Sequence, residues 1–180
     1  MSSPPQTIVL GGGCFWCTEA VYVNVRGITD VESGYSNGKT GRPSYEQVCT
    51  GSTGYNEVVK LVYDPQQISS RQILEIFFVV HDATTLNRQG NDSGTQYRSG
   101  IYYTTPEQKQ VADEMVRQLT QENAFGKPVV TEVQPMTNYW PAEEYHQDFF
   151  EKNPGQGYCM AVAAPKVAKF RKTFTDLAKA

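Results

Sequence analysis

A short β-prone run, Thr7 to Leu10, stops at three consecutive glycines, and Cys14 follows at once. Few local patterns restrict a chain as tightly. Gly11, Gly12 and Gly13 allow an abrupt turn that side chains would resist. The residues after them favour a helix, expected over Cys14 to about Val25, although Val21, Val23 and Val25 weaken its second half. A cysteine at a helix start faces unsatisfied backbone N–H groups and the positive end of the helix dipole. Such a thiol is expected to have a lowered pKa and to act as a nucleophile. The competing reading is a buried structural cysteine. Three glycines also resemble a phosphate cradle, but no Lys-Ser/Thr pair follows, so a P-loop is excluded.

Other elements follow from periodicity and punctuation. Ile28 to Tyr35 and Glu57 to Tyr63 read as strands, the second stopped by Asp64-Pro65. Ser69 to His81 reads as a helix, with Ser69 and Gln72 forming a capping-box signature. Asp82 to Ser99 is long, polar and aperiodic, which marks a functional loop. A strand closes at Tyr102-Tyr103. Pro106 to Gln121 reads as a helix with Thr105 as N-cap and Pro106 at N1. Its apolar stripe is Val111, Ala112, Met115, Val116 and Leu119. Val129 to Val133 is expected as a strand, and Pro141 to Glu151 and Pro165 to Leu177 as helices. The order β-α-β, β-α-β, then α and β predicts an α+β fold, a ferredoxin-like split βαβ plait with extra C-terminal helices. An open doubly wound sheet needs more helices than are present.

Composition narrows the class. The 180 residues fit one domain, read as residues 1–180, and 39% apolar with 19% charged residues excludes disorder, collagen and coiled coil. Sixteen basic against nineteen acidic residues give a net charge of −3, without the basic excess of a nucleic-acid binder. No apolar run approaches the ~20 residues of a membrane span. The N-terminal MSSPPQTIVLGGG lacks a basic region and a long apolar one, so no signal peptide is read. The expected setting is a reducing cytoplasm, and nothing points to an obligate assembly, so a monomer is expected.

In such a setting the four cysteines, Cys14, Cys17, Cys49 and Cys159, are structural, metal-binding or redox-active. Cys14 and Cys17 form a C-x-x-C at the helix start, a redox-competent pair. A zinc site is the rival, but no second C-x-x-C exists. Cys49 follows Val48 and is expected to pack and stay inert. The polar loop carries Asp92, Tyr97 and several further hydrogen-bonding groups. Glu57 opens an apolar strand after a Gly-rich turn, so a half-buried carboxyl with a raised pKa, suited to general acid work, is expected there. Trp16 beside Cys14 can wall a small apolar pocket. His81 and His146 read as satisfied structural histidines.

Four segments then carry a resemblance: GGGCFWCTEA, GYSNGKTGRPSYEQVCTGSTGYNE, VYDP and HDATTLNRQGNDSGTQYRSGIYY. Together, from about Thr7 to Cys159, the chain resembles the A-type peptide-methionine sulfoxide reductases. The resemblance implies that Cys14 attacks the sulfoxide sulfur and becomes a sulfenic acid. Phe15 and Trp16 wall the pocket for the substrate methyl group, and Glu57 protonates the sulfoxide oxygen. Tyr45 and Tyr97 hydrogen-bond that oxygen, and Asp92 belongs to the surrounding network. It implies the S epimer as substrate, protein-bound or free, with no metal or organic cofactor. It further implies an intramolecular disulfide reduced by a dithiol such as thioredoxin. Two departures stand out. Cys17 occupies a position where the family usually has Gly, and Tyr55-Asn56 replaces a common His-Ala before Glu57. Cys17 and Cys159 are therefore both candidate resolving thiols, Cys17 favoured by proximity to Cys14, Cys159 by its place in a Gly-rich C-terminal segment.

Overall fold

The computed structural model describes residues 4–153 and 155–179. Met1 to Ser3, the start of the stretch read as carrying no signal peptide, lie outside them, as do Ala180 and Pro154 of the C-terminal segment. The chain runs β1 (Gln6–Gly11), α1 (Phe15–Tyr22), β2 (Ile28–Ser36), α2 (Tyr45–Cys49), β3 (Asn56–Tyr63) and α3 (Ser70–Val80). A small hairpin follows, β4 (Arg88–Gln89) and β5 (Asp92–Ser93), then a 3-10 turn over Thr95–Tyr97. Then come β6 (Gly100–Tyr103), α4 (Pro106–Gln121), β7 (Glu132–Pro135), β8 (Trp140–Pro141) and a 3-10 turn over Glu144–His146. The chain closes with α5 (Phe149–Lys152), a π turn over Cys159–Ala163 and α6 (Ala164–Thr173).

This is a mixed α+β architecture around one six-stranded sheet, in the order β7-β6-β1-β3-β2-β8. β1 lies antiparallel to both β3 and β6, β2 lies antiparallel to β3 and β8, and only β6 and β7 run parallel. β1 is therefore central. Ile8, Val9 and Leu10 are fully buried, because this strand is covered on both faces. Ile8 and Leu10 join the main core with Phe15, Val21, Tyr22, Val59, Leu61, Leu74, Phe77 and Phe170. Burying each such side chain contributes about 1.5–3 kcal/mol.

Local chemistry fixes the regular elements. Ser69 caps α3 in a reciprocal box with Gln72, and Thr105 caps α4 with Pro106 in its first turn. α4 places Ala112 and Met115 in the core, with Val111, Val116 and Leu119 packed against it, as the stripe predicts. A second capping box, Ser44 with Gln47, starts α2, which the sequence reading passed over.

The structure departs from expectation mainly near the C-terminus. The helix expected from Pro141 to Glu151 does not form. Pro141 instead pairs with Gly34, and the Gln147 amide bonds the Ser33 backbone. Asp148 then turns left-handed at φ 54, which an α-helix excludes. α1 ends at Tyr22, short of the expected Val25. The last sheet strand starts at Glu132 rather than Val129, since the Val130 amide bonds the loop carbonyl of Ala83. The helix expected to run to Leu177 stops at Thr173, although Phe174 and Leu177 still pack on the core. Among the described residues no helix is long and apolar enough to cross a membrane.

Candidate active site

The glycine turn delivers Cys14 to the N-cap of α1. Gly13 has φ 97, and a Cβ there would drive into the Gln89 side chain, so the turn needs glycine at that position. Cys14 is half-buried. Contrary to the expectation of a lowered pKa, its thiol is pushed well above its ordinary value. Burial is the main cause, with Glu57 and Cys17 adding to it, and the Trp16 backbone N–H only partly opposes them. The helix terminus does act on the sulfur, but desolvation outweighs it.

Glu57 stands at the start of β3 and is 1% exposed. Its Oε1 accepts a hydrogen bond from the Phe15 backbone N–H at 3.2 Å, which ties the carboxyl to the residue following the thiol. Its Oε2 is buried without a partner. Burial pushes the carboxyl up to about 8, against the Phe15 N–H and with help from Asp92. At neutral pH the group is thus a carboxylic acid, with one oxygen anchored and its proton free for an incoming acceptor. The exchange of His-Ala for Tyr55-Asn56 leaves this placement intact. Tyr55 donates to the Thr40 carbonyl at 2.5 Å, and Asn56 donates to the Arg98 carbonyl and to the Tyr102 hydroxyl.

Tyr45 and Tyr97 lie close enough to Glu57 for its charge to raise both phenols, after burial as the main cause. Both therefore stay protonated and able to donate. Tyr45 is held by its backbone N–H, which donates to Glu143 at 3.0 Å, while Tyr35 donates to the other Glu143 oxygen at 2.7 Å. Burial opposes the Glu143 charge, but these hydrogen bonds outweigh it and leave that carboxyl lowered. Tyr97 ends the 3-10 turn of the long loop. The loop is more ordered than its sequence indicates: the Gln89 amide bonds both the N–H and the carbonyl of Asp82, and Arg98 bridges Glu132, Thr95 and Gly54. It carries Asp92 to Tyr158, whose hydroxyl donates to Asp92 at 2.5 Å.

Phe15 is buried and packs at 5.7 Å from Tyr35 and 6.5 Å from Tyr45. Trp16 is partly exposed and stacks on Phe149 at 3.7 Å with the rings only 4° apart. Its Nε1–H donates to His146 Nδ1 at 3.0 Å. His146, read from the sequence as a satisfied structural histidine, is only half satisfied, since its Nε2 is buried without a partner, and sequence reasoning missed its part in this aromatic cluster. It is 1% exposed and packs against Phe15, Tyr45 and Tyr145, all within 4.9 Å between ring centres. A lone histidine in an expected helix carries no such signal. His81, by contrast, is the structural histidine expected, bonded to the Phe77 carbonyl and Ser99.

The four cysteines are all free thiols. Cys17 sits one turn into α1, buried in an apolar cluster with Ala20, Cys159 and Ala163. Its sulfur lies 3.7 Å from the Tyr158 hydroxyl. Burial raises the Cys17 thiol, and Lys166 and Tyr158 partly offset it. Both candidate resolving thiols therefore share one apolar cluster. Cys49 does not pack as expected: Val48 points inward and Cys49 is exposed, hydrogen-bonded to Tyr45. Among the described residues no cluster of His, Cys, Asp and Glu could hold a metal ion.

A thiol at a helix start, a neutral buried acid whose charge, once ionised, acts on it and a cluster of aromatic rings on an α+β frame fit a thiol-based oxidoreductase. The chain belongs to the peptide methionine sulfoxide reductase family, whose sequence model matches residues 6–178. It is 54% identical over 172 residues to the peptide methionine sulfoxide reductase MsrA of Polynucleobacter asymbioticus, covering 96% of this chain and 90% of that one. It is 53% identical over 174 residues to the MsrA of Saccharolobus solfataricus, covering 97% of each. The crystal structure of Mxr1 from Saccharomyces cerevisiae in reduced form superposes with a TM-score of 0.79 at 34% identity, over 88% of this chain and 92% of that one. A structure of Mxr1 in complex with Trx2 shares the fold at a TM-score of 0.56 and 22% identity, over 83% of this chain and 88% of that one. The chain is thus an oxidoreductase of methionine sulfoxide.

Proposed function

We propose that the chain reduces the S epimer of methionine sulfoxide, protein-bound or free, through a Cys14 sulfenic acid. One observation carries this reading: the Phe15 N–H anchors one oxygen of a neutral Glu57 and leaves the other buried and unpartnered beside the Cys14 thiol. A sulfoxide oxygen is basic and its sulfur electrophilic. Glu57 gives its proton to that oxygen, with Tyr45 and Tyr97 donating hydrogen bonds, and Cys14 sulfur attacks. The S–O bond of the substrate breaks, methionine leaves, and the oxygen stays on Cys14 as S–OH. The thiol proton of Cys14 replaces the one Glu57 gave. The raised thiol pKa fits this order, since nucleophile and acid both hold their protons until the basic oxygen arrives. Phe15 and Trp16 wall the methyl group, and Asp92 braces the rear of the site through Tyr158.

A second thiol then attacks the Cys14 sulfenic acid, forms a disulfide and releases water. Cys17 takes this step, one helical turn away. Cys159, in the same cluster, then exchanges with the Cys14–Cys17 bond to free Cys14. Thioredoxin supplies the two electrons that close the cycle, a reading supported by the complex of the related Mxr1 with Trx2. The enzyme works as a monomer of one domain, residues 1–180, in the cytoplasm. The antiparallel order β6-β1-β3-β2, with α1 and α3 as the two crossovers, supports a ferredoxin-like plait at the core of the sheet.

The test is a single turnover. Reduced protein receives one equivalent of S-epimer methionine sulfoxide without reductant, and thiols are counted and the disulfide located by peptide mass. Two thiols lost per methionine formed is the expected result. In Cys159→Ser the bond is Cys14–Cys17; in Cys17→Ser, methionine forms but the sulfenic acid persists longer. No methionine and no thiol loss would sink the reading, leaving a pocket that binds oxidised Met without turning it over.

A further inference from the structure

Glu19 lies on α1 one turn beyond Trp16, is 1% exposed, and has no task in the chemistry above. Burying a carboxyl is unfavourable unless it is hydrogen-bonded. Its Oε2 accepts from the Ser33 hydroxyl at 3.0 Å and its Oε1 from the Phe149 backbone N–H at 3.3 Å. The same serine is used a second time: its backbone N–H and carbonyl are both bonded by the Gln147 side-chain amide, each at 2.9 Å. Residues 147 and 149 are thus pinned to one spot on β2. Between them Asp148 takes a left-handed φ of 54, a conformation uncommon outside glycine that persists only where its surroundings hold it. The sharp turn presents the Phe149 ring flat on the Trp16 indole.

We infer that Glu19 is a positioning residue for the substrate pocket: its carboxyl, braced by Ser33, seats Phe149 on Trp16 and so fixes the wall that meets the substrate methyl group. The inference rests on the assignment of Trp16 as that wall. Burial, with the Asp148 carboxylate adding, lifts the Glu19 carboxyl to about 7, so it is near neutral where it works. An amide in its place can keep both contacts, its oxygen accepting from the Phe149 N–H and its NH2 donating to the Ser33 hydroxyl with that bond reversed.

The test compares Glu19→Ala, Glu19→Gln, Phe149→Ala and Trp16→Ala in a Trp140→Phe background, so that Trp16 is the only fluorophore of its kind. Loss of a positioned wall weakens binding more than chemistry. KM for an S-epimer methionine sulfoxide peptide should rise roughly fivefold in Glu19→Ala and Phe149→Ala, with kcat within about twofold of the parent. Trp16 emission should move to the red in both, as its stacked face becomes solvated. Glu19→Gln should restore KM and emission. KM within twofold of the parent in Glu19→Ala, unmoved emission, or a Glu19→Gln protein as impaired as Glu19→Ala would overturn the inference. If Glu19→Ala does not fold, Phe149→Ala and Glu19→Gln decide by the same criteria. Trp16→Ala separates the two ideas. If its KM is unchanged, the pocket assignment fails, and the emission shift alone decides the clamp.

Discussion

The nucleophile and its cover are built in opposite ways. Cys14 and Glu57 are held by the most regular part of the molecule, the paired strands β1 and β3 and the helix α1 that leaves the glycine turn. Gly11, Val59 and Ile101 are all fixed by ladder hydrogen bonds around them. The cover, from Trp140 to Ala163, is a two-residue strand, a 3-10 turn, a left-handed aspartate, a four-residue helix and a π turn. It stays in place through side chains: Gln147, His146 and Tyr158 bond across to the frame, and Glu19 of α1 accepts from the Phe149 backbone of the cover. The difference teaches where precision is needed at each stage. Attack requires sulfur and acid at fixed separation, which ladders provide. In the proposed cycle, passing the oxidation from Cys14 on to Cys159 would need a segment that can rearrange, and local opening is easiest where backbone ladders are absent.

The largest expected effect breaks the frame's chemistry while sparing its structure. Glu57→Gln keeps the Phe15 N–H bond but has no acidic proton. General acid catalysis contributes about 10²–10⁴-fold, so kcat should fall by about that factor with an unchanged circular dichroism spectrum. The pH dependence carries a sign. Wild-type activity should decline as pH rises through about 8, where Glu57 ionises, and the variant should lose that limb. Stability follows the same linkage. The folded Glu57 pKa is raised above the unfolded value, so its contribution is present at low pH and is lost as pH rises through the folded pKa. The melting temperature of Glu57→Gln should therefore gain on the wild type from about pH 4.5 to about pH 8, the unfolded and folded limits of that window. A constant difference across this range would refute the raised pKa.

A smaller effect should come from the cover. His146 accepts the Trp16 N–H through Nδ1, so its neutral form carries its proton on Nε2, which is buried and unpartnered. Burial lowers the His146 pKa, so this tautomer persists below the usual imidazole range. His146→Phe removes the acceptor and should raise KM roughly tenfold with a modest change in kcat, whereas His146→Asn, whose Oδ1 sits near the lost Nδ1, should recover most of it. Equal KM values in the two variants would show that the ring, not the acceptor, matters.

These two sites also mark what the sequence could reveal. Thr105-Pro106 and Ser69 with Gln72 announce helices because capping is local chemistry, and both appear where expected. The glycine turn before Cys14 is legible for the same reason, and so is Glu57 as a candidate acid. Long-range consequences were not legible. The helix terminus acting on Cys14 is visible in sequence, but the burial that reverses the pKa, and the added charge of Glu57 from β3, exist only once the chain is folded. Residues 141–151 have helical periodicity, yet Gln147 finds the Ser33 backbone, 114 positions away, and the helix gives way. His146 meets Trp16 only because that helix fails, so its role has no signature in the chain.

The smallest effect should separate frame stability from function. Ser69 caps α3 by accepting from the Gln72 N–H at 3.1 Å, at the exposed start of that helix. Removing an N-cap costs about 1 kcal/mol, so Ser69→Ala should lower the melting temperature by about 2–4 °C for a chain of this size. Because α3 supports the sheet and touches no reacting atom, kcat and KM should both stay within error. A fall in kcat beyond this would mean that small losses in the frame are transmitted to the Cys14–Glu57 separation. The contrast between a rigid frame and an adjustable cover would then be too sharp, since the frame itself would be yielding under a perturbation of only one hydrogen bond.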